Sequence, residues 1–277
     1  MSLSYLLLRV GAPFVVGLLQ IGLAIAIYRK KGGQDKSNLF FSLTVLSVAF
    51  WAIGTAMWQA FPFIDRIYIS TTLTYFAASC IPYFFLLFTL NFPAERLRIS
   101  RKELFLITIP VIIALLFILP DQVIGGANRV YESDTLIPAK GYGVYSLLIS
   151  GYFVFAFINL YKKFCTTKGL LLTQVKRIFW ATFLPTCIGI TMNLLLPISL
   201  SAQYMWVGPV STLILFFVIY NSMRRNMLFK LLIIQHEGKF FALMKQEEAK
   251  ALGFSVYAPR EEYTNDVSYK VQVGASI

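Results

Sequence analysis

The sequence predicts an all-α membrane protein: a seven-transmembrane helix bundle, N-terminus outside and C-terminus in the cytoplasm, with a short cytoplasmic C-terminal helix and tail. Apolar residues make up 57% of the 277 residues and charged residues only 14%, whereas a soluble domain carries roughly 25% charged residues. The apolar residues are collected in seven long runs, and the basic residues lie mainly in alternate connections between them. These three observations together are typical of a multi-pass membrane protein.

Each apolar run is close to the ~20 residues that a helix needs to cross the hydrocarbon core. The predicted spans are residues 8–28, 39–60, 67–92, 104–119, 144–161, 178–196 and 204–223. Only helices and closed barrels satisfy their backbone groups in lipid, and the runs lack the short alternating pattern of barrel strands. We therefore expect a seven-helix domain over residues 1–230.

The remaining residues, 231–277, are predicted to form a cytoplasmic juxtamembrane helix and a flexible tail. A partial apolar stripe with a solvated face predicts that the helix continues from the seventh span over residues 228–252. Residues 254–257 and 269–273 alternate weakly, as strands do. They cannot build a core alone, so we expect the end of the chain to be disordered or docked on a partner.

The distribution of basic residues predicts the orientation. Lys and Arg are enriched in the first, third and fifth connections: Arg29, Lys30, Lys31, Lys36, Arg96, Arg98, Arg101, Lys102, Lys162, Lys163, Lys168, Lys176 and Arg177. The alternate connections carry few charges. Because short cytoplasmic loops collect Lys and Arg, this pattern favours an external N-terminus. The connection over residues 121–143 is long enough to form a small cap, or to be a flexible connector.

The charged and titratable residues exclude several function classes. The net charge of +12 does not indicate nucleic-acid binding, because the basic residues flank apolar runs, where they attract anionic headgroups. The central parts of the spans lack Asp, Glu, His and Lys, which argues against a proton pump or a retinal protein. The only histidine is His236, beyond the last span. We therefore expect no enzyme activity, no cofactor and no metal site.

Neutral polar residues within the spans are the candidate ligand-binding groups. Gln20, Gln59 and Asn193 lie toward the predicted outer halves of their spans, and Tyr83 and Trp206 could add aromatic walls. Such side chains commonly form hydrogen bonds between helices, worth roughly 0.6 kcal/mol each. The two interpretations, interhelical hydrogen bonding and a ligand pocket, both remain open from the sequence.

Several passages carry a family resemblance. They are Phe-Trp-Ala-Ile-Gly-Thr-Ala over residues 50–56, Ile-Pro-Tyr-Phe-Phe-Leu-Leu-Phe-Thr-Leu-Asn-Phe over residues 81–92, Gln-Val-Lys-Arg over residues 174–177, Pro185 and Asn193 in the sixth span, and Val-Gly-Pro-Val-Ser-Thr over residues 207–212. In this order the chain resembles the N-terminal seven-helix sensor region of bacterial histidine kinases. The resemblance implies a module that passes a ligand or bilayer stimulus through the seventh helix. Its signal exit would lie at Tyr220, Arg224, Leu228 and Phe229.

The resemblance also implies the partners. We expect the lipid bilayer, a small-molecule ligand, a cytoplasmic kinase or other signalling output protein, and a second copy of the chain in a homodimer, all at the cell membrane. Residues 231–277 are too few for a kinase core, since a further domain typically needs ~100 residues or more. The alternatives are a small-molecule transporter or channel and a non-catalytic membrane assembly subunit.

Overall fold

The computed structural model describes residues 7–29, 36–60, 64–92, 101–118, 124–130, 133–167, 169–196, 204–224, 232–236, 239–245 and 268–274. Within these ranges the helices are α1 (Ala12–Arg29), preceded by a π-helical turn at Leu7–Gly11, α2 (Lys36–Ala60), α3 (Ile64–Asn91), α4 (Arg101–Ile118), α5 (Tyr142–Thr166), α6 (Gly169–Ile190), continued by a π-helical segment at Thr191–Leu195, α7 (Val207–Ser211) and α8 (Leu213–Arg224). The strands are β1 (Ile124–Val130), β2 (Ser133–Pro138), β3 (Leu232–His236), β4 (Lys239–Lys245) and β5 (Ser268–Gly274).

Five helical segments in the described part of the chain are long and apolar enough to cross a membrane. They are Leu7–Arg29, Lys36–Ala60, Ile69–Asn91, Tyr142–Thr166 and Leu172–Leu195. Helix α4 has 18 residues and begins with the charged sequence Arg-Lys-Glu. The last apolar segment, Val207–Met223, is shorter and is interrupted between α7 and α8. Helices thus form in each of the seven predicted apolar runs.

Helices α1, α2 and α3 approach closely because glycines lie where they pack together. A Cβ atom at Gly17 would lie 2.7 Å from Ile53 Cγ1, and one at Gly54 would lie 2.5 Å from Thr74 Oγ1. Small residues at helix contacts are the usual means by which membrane helices pack tightly. The three helices therefore form one side of the bundle as a compact unit.

Aromatic side chains fill the half of the core next to this unit. Phe41 of α2 lies 4.6 Å from Phe88 of α3, measured between ring centroids. Phe85 contacts Phe157 of α5 at 5.3 Å. At the end of α3, the Lys163 ammonium donates hydrogen bonds to the carbonyl oxygens of Thr89 and Phe92. A lysine from α5 thus satisfies carbonyl groups that a helix C-terminus leaves free.

The outer surface of α4 and α5 is strongly apolar. Leu147 is 75% exposed, Phe155 70% and Phe105 66%. Large contiguous apolar surfaces are rare on soluble proteins and mark contact with a membrane or partner. The exposed aliphatic and aromatic side chains therefore fit a helix bundle surrounded by lipid.

Two small antiparallel sheets accompany the helices. In the connection between α4 and α5, β1 pairs with β2, with Val130 opposite Ser133. The second sheet has the order β3–β4–β5, with Leu232 opposite Leu243 and Leu243 opposite Lys270. The connection between α4 and α5 therefore has regular structure, and its function as a cap stays a prediction.

The predicted cytoplasmic helix over residues 228–252 is wrong in the part of it that the structure describes, because Leu232–His236 and Lys239–Lys245 are strands. The two segments contain Ile and Phe, which are enriched in strands. The pairing of β4 with β5 extends the sheet. The weak alternation at residues 269–273 did indicate a strand, and this strand has a partner within the chain.

Candidate ligand cavity

A cavity lies inside the bundle between α2, α3, α5, α6 and the junction of α7 with α8. The volume of the cavity is about 100 Å³. Its lining residues are Thr44, Val48, Trp51, Thr74, Tyr75, Ala78, Ile81, Phe85, Tyr145, Ile149, Phe153, Ala181, Thr182, Pro185, Thr186, Gly189, Ile190, Asn193, Leu194, Met205, Thr212 and Leu215. None of these residues is charged at neutral pH, and most of the wall is apolar. The cavity therefore suits an uncharged molecule.

The regular helical backbone is interrupted at two places beside this cavity. One is the π-helical segment Thr191–Leu195, which carries Asn193. The other is Thr212, where α7 ends before α8 begins. Irregular backbone at membrane depth is tolerated where it lines a cavity or is buried in protein, and π-helical turns are frequent at functional sites. Both interruptions thus mark the same region of the bundle.

Hydroxyl groups account for the break at Thr212. Ser211 Oγ donates to the Gly208 carbonyl at 2.6 Å, and Thr212 Oγ1 donates to the Pro209 carbonyl at 2.6 Å. Ser and Thr side chains that bond to the preceding turn compete with the backbone ladder and bend helices. Two consecutive residues of this kind therefore give α7 an early end.

Side chains from distant helices hold both interruptions in place. Gln20 Nε2 of α1 donates to the Thr212 carbonyl at 3.0 Å and to Thr212 Oγ1 at 3.2 Å. The Tyr142 hydroxyl of α5 donates to the Leu194 carbonyl at 2.8 Å. These bonds satisfy carbonyl groups beside irregular backbone, so the two interruptions are built into the fold.

Asn193 is the cavity residue with both a donor and an acceptor unused; the Tyr75 hydroxyl is the other buried polar group of the described lining without a partner. It is 7% exposed, and neither its Nδ2 nor its Oδ1 has a hydrogen-bond partner among the described residues. Its amide packs against Gly208, where an added Cβ would lie 2.0 Å from Nδ2 and 3.1 Å from Trp51 Cη2. Gly208 and Trp51 therefore fix the position of the Asn193 side chain at the cavity wall.

Three threonine hydroxyls of the cavity wall, in contrast, donate within their own helices. Thr44 donates to Phe40 at 2.8 Å, Thr74 to Ser70 at 2.7 Å, and Thr182 to Ile178 at 2.7 Å, each to the backbone carbonyl. Tyr145 donates to the Tyr75 carbonyl at 3.1 Å. These side chains contribute mainly shape to the cavity.

Among the five predicted ligand-binding residues, the structure places Asn193 on the cavity wall, and Gln20, outside the lining, is hydrogen-bonded to Thr212 of that wall. Gln59 is buried near the end of α2, outside the cavity lining. The Tyr83 hydroxyl is hydrogen-bonded to Thr108 Oγ1 at 3.0 Å and joins α3 to α4. Trp206 precedes α7 as its N-cap residue. Of the five residues, Asn193 alone lines the described cavity, and Gln20 contacts it through Thr212.

Comparison with known protein families decides the kind of protein that contains this cavity. The model of the family described as the N-terminal 7TM region of histidine kinase matches residues 12–232. The chain belongs to this family. The resemblance found in the sequence is thereby confirmed, and the chain is a membrane sensory region of the histidine kinase type. No curated protein matches the chain.

The histidine kinase 7TM match includes every described residue of the cavity lining and the whole of α1 to α8; the π-helical turn at Leu7–Gly11 lies outside it. The family is the N-terminal region of such kinases, as distinct from the kinase core. Among the described residues there is no group of three or more His, Cys, Asp or Glu side chains placed to hold a metal ion. The cavity is thus the feature of this 7TM region with the clearest binding geometry.

Most of the cavity wall could not be predicted from the sequence of the 7TM region. Trp51, Thr74, Thr182 and Gly189 are ordinary residues of apolar spans, and only packing shows that they face one another. The available signals were the paired motif Gly208-Pro209 and the presence of an amide residue, Asn193, in an apolar run.

The predicted signal exit lies partly within the described chain. Tyr220 is exposed and stacks on Phe216, with ring centroids 5.8 Å apart. Arg224 is the last residue of α8. Leu228 and Phe229 lie outside the described residues. Near this end of the 7TM region, Arg177 Nη1 of α6 donates to Ser222 Oγ of α8 at 3.4 Å.

Proposed function

We propose that this chain is a sensory module that crosses the cell membrane seven times, with its N-terminus outside. A small molecule in the cavity, or a bilayer change that alters the cavity, shifts α8 relative to α6. Helix α8 passes this shift to a cytoplasmic kinase or other signalling partner. The observation that carries the proposal is the position of Thr212 and Leu215 in the cavity wall, because a molecule in the cavity then touches the helix leading to the C-terminus.

The proposed topology is supported by the helical segments found in all seven apolar runs and by the uneven distribution of basic residues. In this orientation Asn193, Trp206 and Tyr142 lie toward the outside. The cavity then reaches from the outer half of the bundle to its middle, and α8 leads from it to the cytoplasm. A stimulus from outside would therefore reach the cavity before the signal exit.

A ligand shifts such an equilibrium only through different affinities for its two conformations. The break at Thr212 gives α8 a point about which it can move while α7 stays in place. Gln20 holds this point to α1. The two conformations would differ in the packing of α8 below Thr212, where Phe216 and Ile219 face the core.

The test replaces the ligand by a side chain that fills the cavity. Ala78 lines the cavity on α3, so Ala78→Phe inserts a ring where a ligand would lie. Ala26 is exposed on α1, so Ala26→Phe is a matched substitution that faces lipid. The full chain is extended after Ile277 by a histidine kinase core, and autophosphorylation is measured in membranes.

We expect Ala78→Phe to change the autophosphorylation rate several-fold and Ala26→Phe to leave it unchanged. A second readout does not depend on the artificial junction. Spin labels at Tyr161→Cys and Tyr220→Cys, in a chain with its three native cysteines replaced, report the distance between α5 and α8. Equal rates and equal distances in the two folded variants would contradict the proposal.

No observation favours the transporter or channel alternative. It would need a continuous polar path, whereas the described cavity is walled mainly by apolar side chains. Substrate flux through the purified chain in liposomes would establish that alternative instead. Stable co-purification with other membrane proteins would favour an assembly subunit.

A further inference from the structure

The chemistry of the cavity wall limits the class of molecule that can bind. Among the described lining residues there is no Lys, Arg, Asp or Glu. A charged ligand would lose its hydration and gain no counter-ion, which is strongly unfavourable. The ligand must therefore be uncharged, and Val48, Ile81, Phe85, Ile149 and Phe153 require that most of it be apolar.

The size of the cavity sets a second limit. A closed apolar cavity of about 150 Å³ in another protein holds one benzene molecule, and the volume of this cavity is about 100 Å³. The volume is thus of the order that a single small ring occupies, whereas a lipid or a peptide is far larger.

Asn193 sets the third limit, because an amide has both a donor and an acceptor. Both atoms are without a partner among the described residues, although the side chain is 7% exposed. Most buried polar side-chain atoms in proteins have a partner, and each exception needs an explanation. Neither atom reaches the cavity surface in the ligand-free arrangement, so the amide must turn about its side-chain bonds to meet a ligand. A molecule with a donor next to an acceptor, such as a primary carboxamide, would then satisfy both atoms at once.

We infer that the cavity binds a small uncharged molecule with an apolar body and a carboxamide-like group, paired with Asn193. This inference rests on the proposed function, since it assigns the chemistry of the ligand that the module senses. Gly208 leaves the space in which the Asn193 amide lies, and the Trp51 ring borders the same space. The π-helical segment that carries Asn193 is fixed by the hydrogen bond from Tyr142 to Leu194.

Three probes of the same shape test this inference: 4-fluorobenzamide, 4-fluoroacetophenone and 4-fluorocumene. The benzamide presents both a donor and an acceptor to Asn193, the acetophenone presents an acceptor alone, and the cumene presents neither. Binding to the full chain in lipid nanodiscs is measured by fluorine NMR, with empty nanodiscs as the correction for partition into lipid. The variants are Asn193→Leu and, as the matched control, Asn159→Leu, which lies outside the cavity lining.

We expect 4-fluorobenzamide to bind the native chain at least roughly tenfold more tightly than 4-fluorocumene, since an unpaired buried amide is unfavourable. Asn193→Leu should abolish or reverse this preference, and Asn159→Leu should keep it. Equal affinities for the three probes, a preference that survives Asn193→Leu, or no saturable binding of any probe, as for a cavity that holds only water, would overturn the inference.

Failure of this inference can be distinguished from failure of the proposed function. Probe binding without a carboxamide preference would overturn the inference, while a response to Ala78→Phe would still support the sensory function. A carboxamide preference that depends on Asn193 would support the inference. If it were found in a chain whose α8 does not respond to Ala78→Phe, the sensory function would fail instead.

Discussion

At the scale of single residues, the buried polar side chains near the cavity differ in whether their hydrogen-bonding groups are used. Gln20 and Tyr142 reach across the bundle to carbonyl groups at irregular backbone. Both polar atoms of the Asn193 amide, in contrast, make no hydrogen bond with the described residues. The difference predicts opposite effects on stability when each amide is removed.

Replacing Asn193 by Leu should therefore raise the stability of the ligand-free chain. The substitution removes a buried donor and acceptor without partners, which corresponds to about 1 to 3 kcal/mol. Gln20→Leu should lower stability by about 1 kcal/mol, in the range measured for hydrogen bonds between membrane helices. Both predictions are tested by measuring the free energy of unfolding of the two variants in mixed detergent micelles. If Asn193→Leu destabilised the chain as Gln20→Leu does, Asn193 would have a structural partner.

Gly208→Ala should displace the Asn193 amide. The added Cβ would lie 2.0 Å from Asn193 Nδ2, so the two groups cannot keep their positions. Overpacking of this kind typically costs about 1–3 kcal/mol. The measurement is thermal unfolding, with Gly22→Ala as control, because nothing lies within 4 Å of a Cβ at Gly22. Removing the amide in the double variant Asn193→Ala with Gly208→Ala should restore stability. If stability were not restored, the Cβ added at residue 208 would clash with a group other than the Asn193 amide.

At the scale of elements, the long apolar runs were enough to predict where helices form, because lipid leaves the backbone few alternatives. The interruptions were not predictable. The π-helical turn at Thr191–Leu195 and the early end of α7 depend on side-chain hydroxyls and on partners from α1 and α5, far away in sequence. For the interruption at Thr212, the sequence offered only the nearby Gly208-Pro209 pair, which does not show where α7 ends.

The error at residues 228–252 has a different cause. A partial apolar stripe at helical spacing was given more weight than the β-branched and aromatic residues of β3 and β4. The pairing of β4 with β5 joins residues more than twenty positions apart, and such pairing leaves no local signal. The cavity was missed for the same physical reason, since Trp51, Thr74 and Gly189 acquire their common position only through packing.

The break between α7 and α8 gives a prediction at this scale. Thr212→Val removes the hydroxyl that bonds to the Pro209 carbonyl, so the backbone ladder should continue through residue 212. Hydrogen exchange of the amides at residues 212–215 should slow, and Ala78→Phe should then move α8 less in the spin-label measurement. Thr166→Val removes a similar hydroxyl bond at the end of α5 and should change neither. Unchanged exchange in Thr212→Val would show that the break has another origin.

At the scale of the whole molecule, the packing is uneven. Helices α2 and α3 are largely buried and meet closely at Gly54, whereas α1, α4 and α5 expose many large apolar side chains. A module with buried central helices and lipid-facing outer helices can respond to the bilayer as well as to a ligand. Either stimulus requires the proposed orientation for its signal to reach the cytoplasm.

Cysteine labelling tests that orientation with residues already present. Cys165 is exposed near the end of α5, beside Lys162 and Lys163, and Cys187 is exposed within the apolar helix α6. A charged maleimide should label Cys165 in inverted membrane vesicles and not in right-side-out vesicles, because Cys165 would face the cytoplasm. Cys187 should stay unlabelled in both, since its thiol would lie in lipid.

Labelling at a second position tests whether α6 crosses the membrane. Tyr204 is 48% exposed at the start of the last helical segment, on the side predicted to face outward. In a Cys165→Ser background, Tyr204→Cys should be labelled in right-side-out vesicles alone, and Cys165→Ser by itself should remove the labelling seen in inverted vesicles. The reverse pattern would contradict the external N-terminus. Labelling of residues 165 and 204 from the same side would show that α6 does not cross, and α8 could not then carry a signal from the outer half of the bundle to the cytoplasm.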